Sequence, residues 1–365
     1  MRQLLVTRRA AVLGGAAAVT AAATGLVGGP RRAGAQEPLK VGYVYVGPVG
    51  DHGWSYRHDQ GRLAVEKHFA GKVKTTFVEN VAEGPDAERV IRQLASSGHG
   101  LVFTTSFGFM NPTEKVARQF KQAKFEHATG YKRLDNLATY DARFYEGRAV
   151  IGTLAGHLSK TGKVGYVAPF PIPEVVQGIN AFTLAMRKIR PDASVRVIWV
   201  NSWYDPGKEA DAAKALVDQG ADTITQHTDS PAAMQVAEER GLMAFGQASD
   251  MRRFGPNAQL TAIVDNWDAY YLRRVQAVLD GTWKSEGVWM GLKDGTVEMA
   301  PYGPKVTPEA AAAADKVREA IIAGQLHPFT GPISDGKGAE RLASGKTMSD
   351  DDLHKMDWYV PGVQA

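Results

Sequence analysis

No cysteine occurs anywhere in the 365 residues. That excludes disulfides, thiolate catalysis, cysteine-ligated zinc or iron–sulfur centres, and the lipid-bearing cysteine of a bacterial lipoprotein. Beyond residue 35 there is no run long and apolar enough to span a bilayer. A basic excess is missing too. The formal net charge of +4 is carried by residues 1–35, which hold five arginines and no acid. In the rest of the chain acids outnumber Lys and Arg by one, so charge gives no support to nucleic-acid binding. The nine histidines are scattered without a metal-ligand spacing, and no repeat of 20–50 residues is found.

The first 35 residues form a segment of their own. Thr7-Arg8-Arg9 leads into the uncharged Ala/Gly/Val-rich stretch Ala10 to Gly29, and Ala33-Gly34-Ala35 fits a small-residue cleavage site. This pattern is that of a twin-arginine export signal cut before Gln36. The alternative, a membrane anchor, is disfavoured by the weak apolar transfer of so many Ala and Gly residues.

The remaining chain is too long for one small core, which points to two lobes. Apolar runs alternate with amphipathic stretches: strands Leu39 to Val46, Val73 to Val78, Leu101 to Thr104, Phe125 to Thr129 and Leu137 to Tyr140, with helices between them. The same rhythm restarts at a helix from Tyr145 and continues to a helix from Trp267 to Leu279. The expected fold is α/β, with two doubly wound parallel sheets. Past Gly281 come a strand Val288 to Leu292, an Ala-rich helix Thr307 to Ala323 and a polar, Gly-rich tail.

Enzyme motifs come close and fail. Gly331 to Lys337 has the first seven positions of a phosphate-binding loop, but Gly338 stands where Ser or Thr must hold magnesium. Thr104-Thr105-Ser106-Phe107-Gly108 lacks the first glycine of a nucleophile elbow. No catalytic residue, metal site or cofactor follows from the chain. What accumulates instead is aromatic residues after strands, where open α/β sheets hold ligands. Trp54 follows the first strand in a loop read from Gly47 to Gly61, beside Asp51 and His52. Phe107 follows the third strand, Phe170 the first strand of the second half, and Trp203 the next. A flat ligand held between lobes is the reading these positions favour.

Several segments, in order, resemble the basic membrane protein family of ABC-transporter binding proteins, which includes purine nucleoside receptors. Val44 to Trp54 is similar to the family's first-strand Asp-x-x-aromatic segment, and Ser106 to Asn111 to its second ligand loop. Asn201 to Pro206, Gly246 to Asp250 and Gly291 to Gly295 are similar to its Gly-Ser-aromatic, Gly-x-Asp and Gly-Leu-Lys-x-Gly segments. The resemblance implies a type I periplasmic binding fold, with lobe 1 at residues 36–141 plus about 263–285 and lobe 2 at 142–262 plus about 286–365. Hinges are expected at Asp141-Ala142-Arg143, Val264-Asp265 and Gly281 to Glu286. It also implies that Trp54 and Trp203 sandwich a purine, that Asp250 accepts hydrogen bonds from it, and that Lys293 lies near the cleft. Glu174, Ser249 and Asn266 are further candidates for the base edge.

Two departures from the family stand out. Without a lipid-anchor cysteine the protein is expected free in the periplasm. Asn111 stands where nucleoside-binding members carry an aspartate for the ribose, and an amide accepts more weakly than a carboxylate, which tilts the expectation toward a free purine base. The expected partners are that small molecule and an inner-membrane ABC permease with its ATPase, served by a monomer without catalysis. Alternatives left open are a secreted nucleoside hydrolase or phosphorylase, and a binding protein for a sugar or another small metabolite.

Overall fold

The structure, a computed structural model, describes residues 37–365. The export-signal reading falls on residues outside it. In chain order the first half comprises β1 (Leu39–Val44), α1 (Gly53–His68), β2 (Val73–Val78), α2 (Pro85–Ser96), β3 (Leu101–Thr104), α3 (Met110–Gln119), β4 (Lys124–Ala128) and β5 (Leu137–Ala142). There follow α4 (Phe144–Leu158), β6 (Lys163–Ala168), α5 (Pro173–Ile189), β7 (Ser194–Trp199), α6 (Pro206–Asp218), β8 (Thr223–Gln226), α7 (Ala232–Glu239), β9 (Met243–Gly246) and β10 (Gln259–Asp265). The last third holds α8 (Asp268–Leu279), β11 (Gly287–Met290), β12 (Val297–Met299), α9 (Pro308–Ile322), β13 (Ile333–Ser334), β14 (Glu340–Leu342), α10 (Asp350–Leu353) and β15 (Val363–Gln364).

Two large sheets result, ordered β11-β5-β4-β3-β1-β2 and β12-β10-β9-β8-β6-β7-β15, beside a small antiparallel pair of β13 with β14. Within the two large sheets all neighbours pair in parallel except β10 with β12. This is the two-lobed type I periplasmic binding fold. Strands covered by helices on both faces lose the alternation of a half-exposed strand. Accordingly β1 is buried continuously from Val41 to Val44 and β3 along its whole length. Each sheet reverses its strand order once, at β1/β3 and at β6/β8, and the loops leaving those carboxyl ends face the space between the lobes.

Three differences from the sequence reading have physical causes. The loop expected through Gly61 is helical from Gly53 onward. Its buried face is polar, with Ser55, His58, Asp59 and Arg62, so no apolar stripe announces it. His58 stacks on Trp267 with centroids 4.7 Å apart, and Asp59 accepts from the Tyr45 hydroxyl at 3.2 Å. Second, β11 lies within the 286–365 stretch expected in lobe 2, yet it pairs with β5 at the edge of the first sheet, as Val288↔Tyr140 and Trp289↔Asp141. A four-residue strand carries no signal of which edge it will join. Third, β10, expected to return to lobe 1 near residue 263, stays in the second sheet to Asp265. The chain therefore crosses between sheets at Ala142–Phe144, Asp265–Asp268 and Met290–Val297. The first passage overlaps the segment Asp141-Ala142-Arg143 and the second meets Val264-Asp265 only at Asp265, whereas the Gly281 to Glu286 segment leads from α8 into β11 at the edge of the first sheet.

Helix α4 is buried on nearly all sides, against α5 and α9. Gly152 lets it approach α5 so closely that a Cβ there would run into the Phe182 carbonyl.

Candidate functional site

The carboxyl ends of both sheets enclose a cleft of about 460 Å³, part of it open to solvent. The first lobe contributes Val46 and Trp54 from beyond β1, Ser106 and Phe107 from beyond β3, and Thr129 from beyond β4. The second contributes Glu174, Trp203, His227, Asp229 and Gln247 from the ends of β6, β7, β8 and β9.

Its walls are aromatic and held in place. The Trp54 indole donates to the Thr105 carbonyl at 2.6 Å, and Trp267, His58 and Phe144 meet its ring edge to face at 5.6, 4.4 and 5.9 Å. Trp203 donates from Nε1 to Glu83 of the opposite lobe at 3.1 Å and leans on Phe170 with centroids 5.4 Å apart. A ring is fixed in this way when its edge has a hydrogen-bond partner and its remaining surface packs.

The polar floor is rich in acceptors. Burial pushes the Glu174 carboxyl up to about 7, against the pull of the Arg148 guanidinium. Burial likewise raises Asp229 to about 7, although it accepts the Trp54 backbone N–H. His227 Nε2 lies 3.2 Å from Glu174 Oε1, burial holds the imidazole well below its usual range, and its Nδ1 has no partner. Arg148, fully buried behind the floor, donates to Gln247 and to Thr225, with Nε unpartnered. Asp265 also lies fully buried with both carboxylate oxygens unpartnered, and burial drives its pKa well above the usual carboxylate range. Lys and Arg are absent from the cleft lining, so the surface favours a neutral, flat molecule bearing N–H donors over an anion.

Of the residues singled out from sequence, Trp54, Trp203, Phe107 and Glu174 line this cleft, and Phe170 supports Trp203 from the adjoining space at its mouth. Ser249 touches the first lobe, accepting the Gly53 N–H at 2.8 Å. Asp51 pairs with Arg253 and lies 2.9 Å from His52 Nδ1, and His52 packs edge-on against Phe254; these contacts bridge the lobes outside the cleft. The others do not reach it. Asp250 is exposed and satisfied locally by Arg252 and Gln259, at 3.2 and 2.7 Å. Asn111 accepts from Lys132 at 2.8 Å, Asn266 donates to Glu298 at 2.9 Å, and Lys293 lies on an exposed turn. His227, Asp229 and Gln247 were missed. Like Trp54, they sit just past strand ends, but Thr228-Asp229-Ser230 has the composition of an ordinary turn.

Among the described residues no group of three or more His, Cys, Asp or Glu side chains is placed to hold a metal ion, and no helix is long and apolar enough to cross a membrane.

Comparison with known proteins agrees with this architecture. The chain is 56% identical over 329 residues to a purine-binding protein of Brucella abortus (strain 2308), covering 90% of this chain and 94% of that one. It is 36% identical over 338 residues to a candidate ABC transporter glucose-binding protein of Haloferax volcanii, covering 93% and 83%. Among solved structures, an ABC transporter solute-binding protein from Aeropyrum pernix K1 superposes with a TM-score of 0.70 at 18% identity, over 81% of this chain and 94% of that one, a likeness of fold. The family profile for PnrA-like ABC transporter substrate-binding proteins matches residues 39–326, and the chain belongs to that family.

Proposed function

We propose that the protein captures a purine, as the free base or the nucleoside, in the cleft between its lobes and delivers it to an inner-membrane ABC permease and its ATPase. The observation that carries this reading is the cleft itself: the faces of Trp54, Phe107 and Trp203 around a floor of Glu174, Asp229 and His227. Stacking contributes roughly 1–3 kcal/mol per aromatic face, and micromolar affinity needs about 8 kcal/mol. The remainder falls to hydrogen bonds from ring N–H groups to the buried carboxyls, which are stronger than neutral ones. The Brucella relative, named for purine binding, supports the same ligand class. We further propose that the chain is exported by its twin-arginine segment and works unanchored in the periplasm as a monomer.

Isothermal calorimetry of the chain from Gln36 onward against adenine, guanine, hypoxanthine and their nucleosides tests the reading. Saturable binding is expected, and no response to any of them would end it. The Haloferax relative motivates a second reading, a glucose ligand. Glucose in the same titration separates the two: saturable glucose binding with no response to any purine would carry the second reading. Release of free base from a nucleoside, followed by chromatography, would instead reveal an enzyme.

A further inference from the structure

We propose that Asp229 ties ligand capture to lobe closure: its carboxylate grips the first turn of α1 from the opposite lobe and also presents an acceptor to an N–H of the bound ring. This rests on the purine reading of the cleft.

Helix α1 opens without a cap of its own, because His52 makes no side-chain cap hydrogen bond. The first N–H groups of a helix need partners from elsewhere. Here they come from the other lobe: Trp54 N–H donates to Asp229 Oδ1 and Gly53 N–H to Ser249 Oγ at 2.8 Å. The approach depends on glycine. Gly53 has φ +81°, and a Cβ on it would collide with the Asp229 carboxylate.

Asp229 also lines the cleft and is only 9% exposed. Two residues earlier His227, 6% exposed, brings a ring whose Nδ1 has no protein partner into the same lining. The carboxyl is therefore shared between a helix start on one side and the ligand space on the other.

The clasp also moves one wall. Asp229 N–H donates to the Trp203 carbonyl at 3.0 Å. Fully buried Glu209 accepts from Asp205 N–H at 2.9 Å and from Ser230 N–H at 3.2 Å. The loops bearing Trp203 and Asp229 are thus braced as one unit, so closing the clasp brings Trp203 over the ligand. Burying a carboxylate is unfavourable unless its acceptor sites are filled. The α1 N–H groups fill part of that need, and a ligand N–H fills the rest. A ligand shifts an equilibrium between open and closed forms only through such contacts, made in one form and absent in the other.

The test compares wild type, Asp229→Ala, Asp229→Asn and Ser249→Ala by calorimetry with adenine, guanine and hypoxanthine, by X-ray scattering with and without the tightest of them, and by melting without ligand. Asp229→Ala is expected to bind at least thirtyfold more weakly and to lose the ligand-induced decrease in radius of gyration, while melting without ligand near wild type. Asp229→Asn, which keeps one acceptor for the helix, should fall between, and Ser249→Ala should weaken closure with a smaller loss of affinity. If Asp229→Ala binds and compacts like wild type, or only melts earlier with unchanged affinity in its folded fraction, the inference is wrong. Should the alanine variant fail to fold, wild-type affinity and compaction in Asp229→Asn overturn it equally. Wild type that binds no purine removes the purine reading itself, and this inference with it.

Discussion

The two cleft tryptophans differ in what surrounds them. Trp54 is braced by Trp267, His58 and Phe144 within one packed cluster, whereas Trp203 leans on Phe170 and reaches across to Glu83. Trp54→Ala and Trp203→Ala should each cost about 1–3 kcal/mol of purine binding, roughly ten- to a hundredfold. Melting without ligand should drop more for Trp54→Ala, because three aromatic rings close around it and only Phe170 meets the ring of Trp203; calorimetry and calorimetric melting read the two effects separately. The buried carboxyls set a pH dependence of definite sign. Glu174 and Asp229 sit at about 7 when folded, above the ordinary carboxylate range, so folding takes up protons between about pH 4 and 7. The stability these two carboxyls contribute without ligand should therefore be greatest on the acid side of that window and fall as pH rises through 7, opposed below about 6.5 by His58, His127 and His227, whose pKa values burial lowers; Glu174→Gln, compared with wild type across the window by melting, isolates the carboxyl share. Ligand N–H groups favour the ionised carboxyls, so affinity should rise over the same interval with proton release, seen as a buffer-dependent binding enthalpy. Trp54, Phe107, Trp203 and Glu174 were legible because bulky or charged residues just past an apolar run are conspicuous. Asp250, Asn111 and Lys293 came from family resemblance and Asn266 from the need for polar groups at the base edge, and each instead meets local partners or solvent. No local pattern distinguishes a satisfied surface carboxylate from one facing a ligand.

At the level of elements, strands and helices were largely readable because burial enforces period 2, period 3.6 or continuous apolarity. β2, β3, β6 and β8 fall where alternation or apolar runs put them, and α2 shows Val90, Ile91 and Leu94 on one buried face behind Pro85. The start of α1 was illegible for the opposite reason: what stabilises it, Asp229 and Ser249, lies 175 and 196 residues away in the chain. Helix packing supplies a prediction independent of the ligand. At Gly152, where α4 meets α5 against the Phe182 carbonyl, Gly152→Ala overpacks rigid backbone and should cost about 1–3 kcal/mol of folding stability. Denaturant unfolding should show the loss, while purine affinity of the folded protein stays within a few fold of wild type. An unchanged midpoint would mean that the two helices can separate freely.

For the whole molecule, the three passages between sheets are the places where any relative motion of the lobes would be absorbed. One of them is tied down from outside. Arg143, within Ala142–Phe144, makes a two-bond contact with Asp350 at 2.9 and 2.7 Å and lies over the Trp289 ring, on which His354 stacks at 4.2 Å. The C-terminal segment thus bridges a crossover and the edge strand of the first sheet. Asp350→Ala should loosen this strap, widening the scattering-derived size distribution without ligand and leaving the ligand-bound size unchanged; identical profiles in both states would exclude a role in opening. That the lobes exist was legible from two runs of alternating elements. How the tail crosses them was not, since the pairing of Arg143 with Asp350 spans 207 residues.

The hydrogen bond from Trp203 to Glu83 has a practical corollary. It joins an indole on one lobe to a carboxylate on the other, so the two part whenever the cleft widens, and the ring passes from a packed, charge-adjacent setting into water. Indole emission responds to such a change in colour and intensity. The unlabelled protein should thereby report ligand arrival by its own emission, readable by stopped-flow, and Glu83→Gln, which removes the charge beside the indole, should reduce the change.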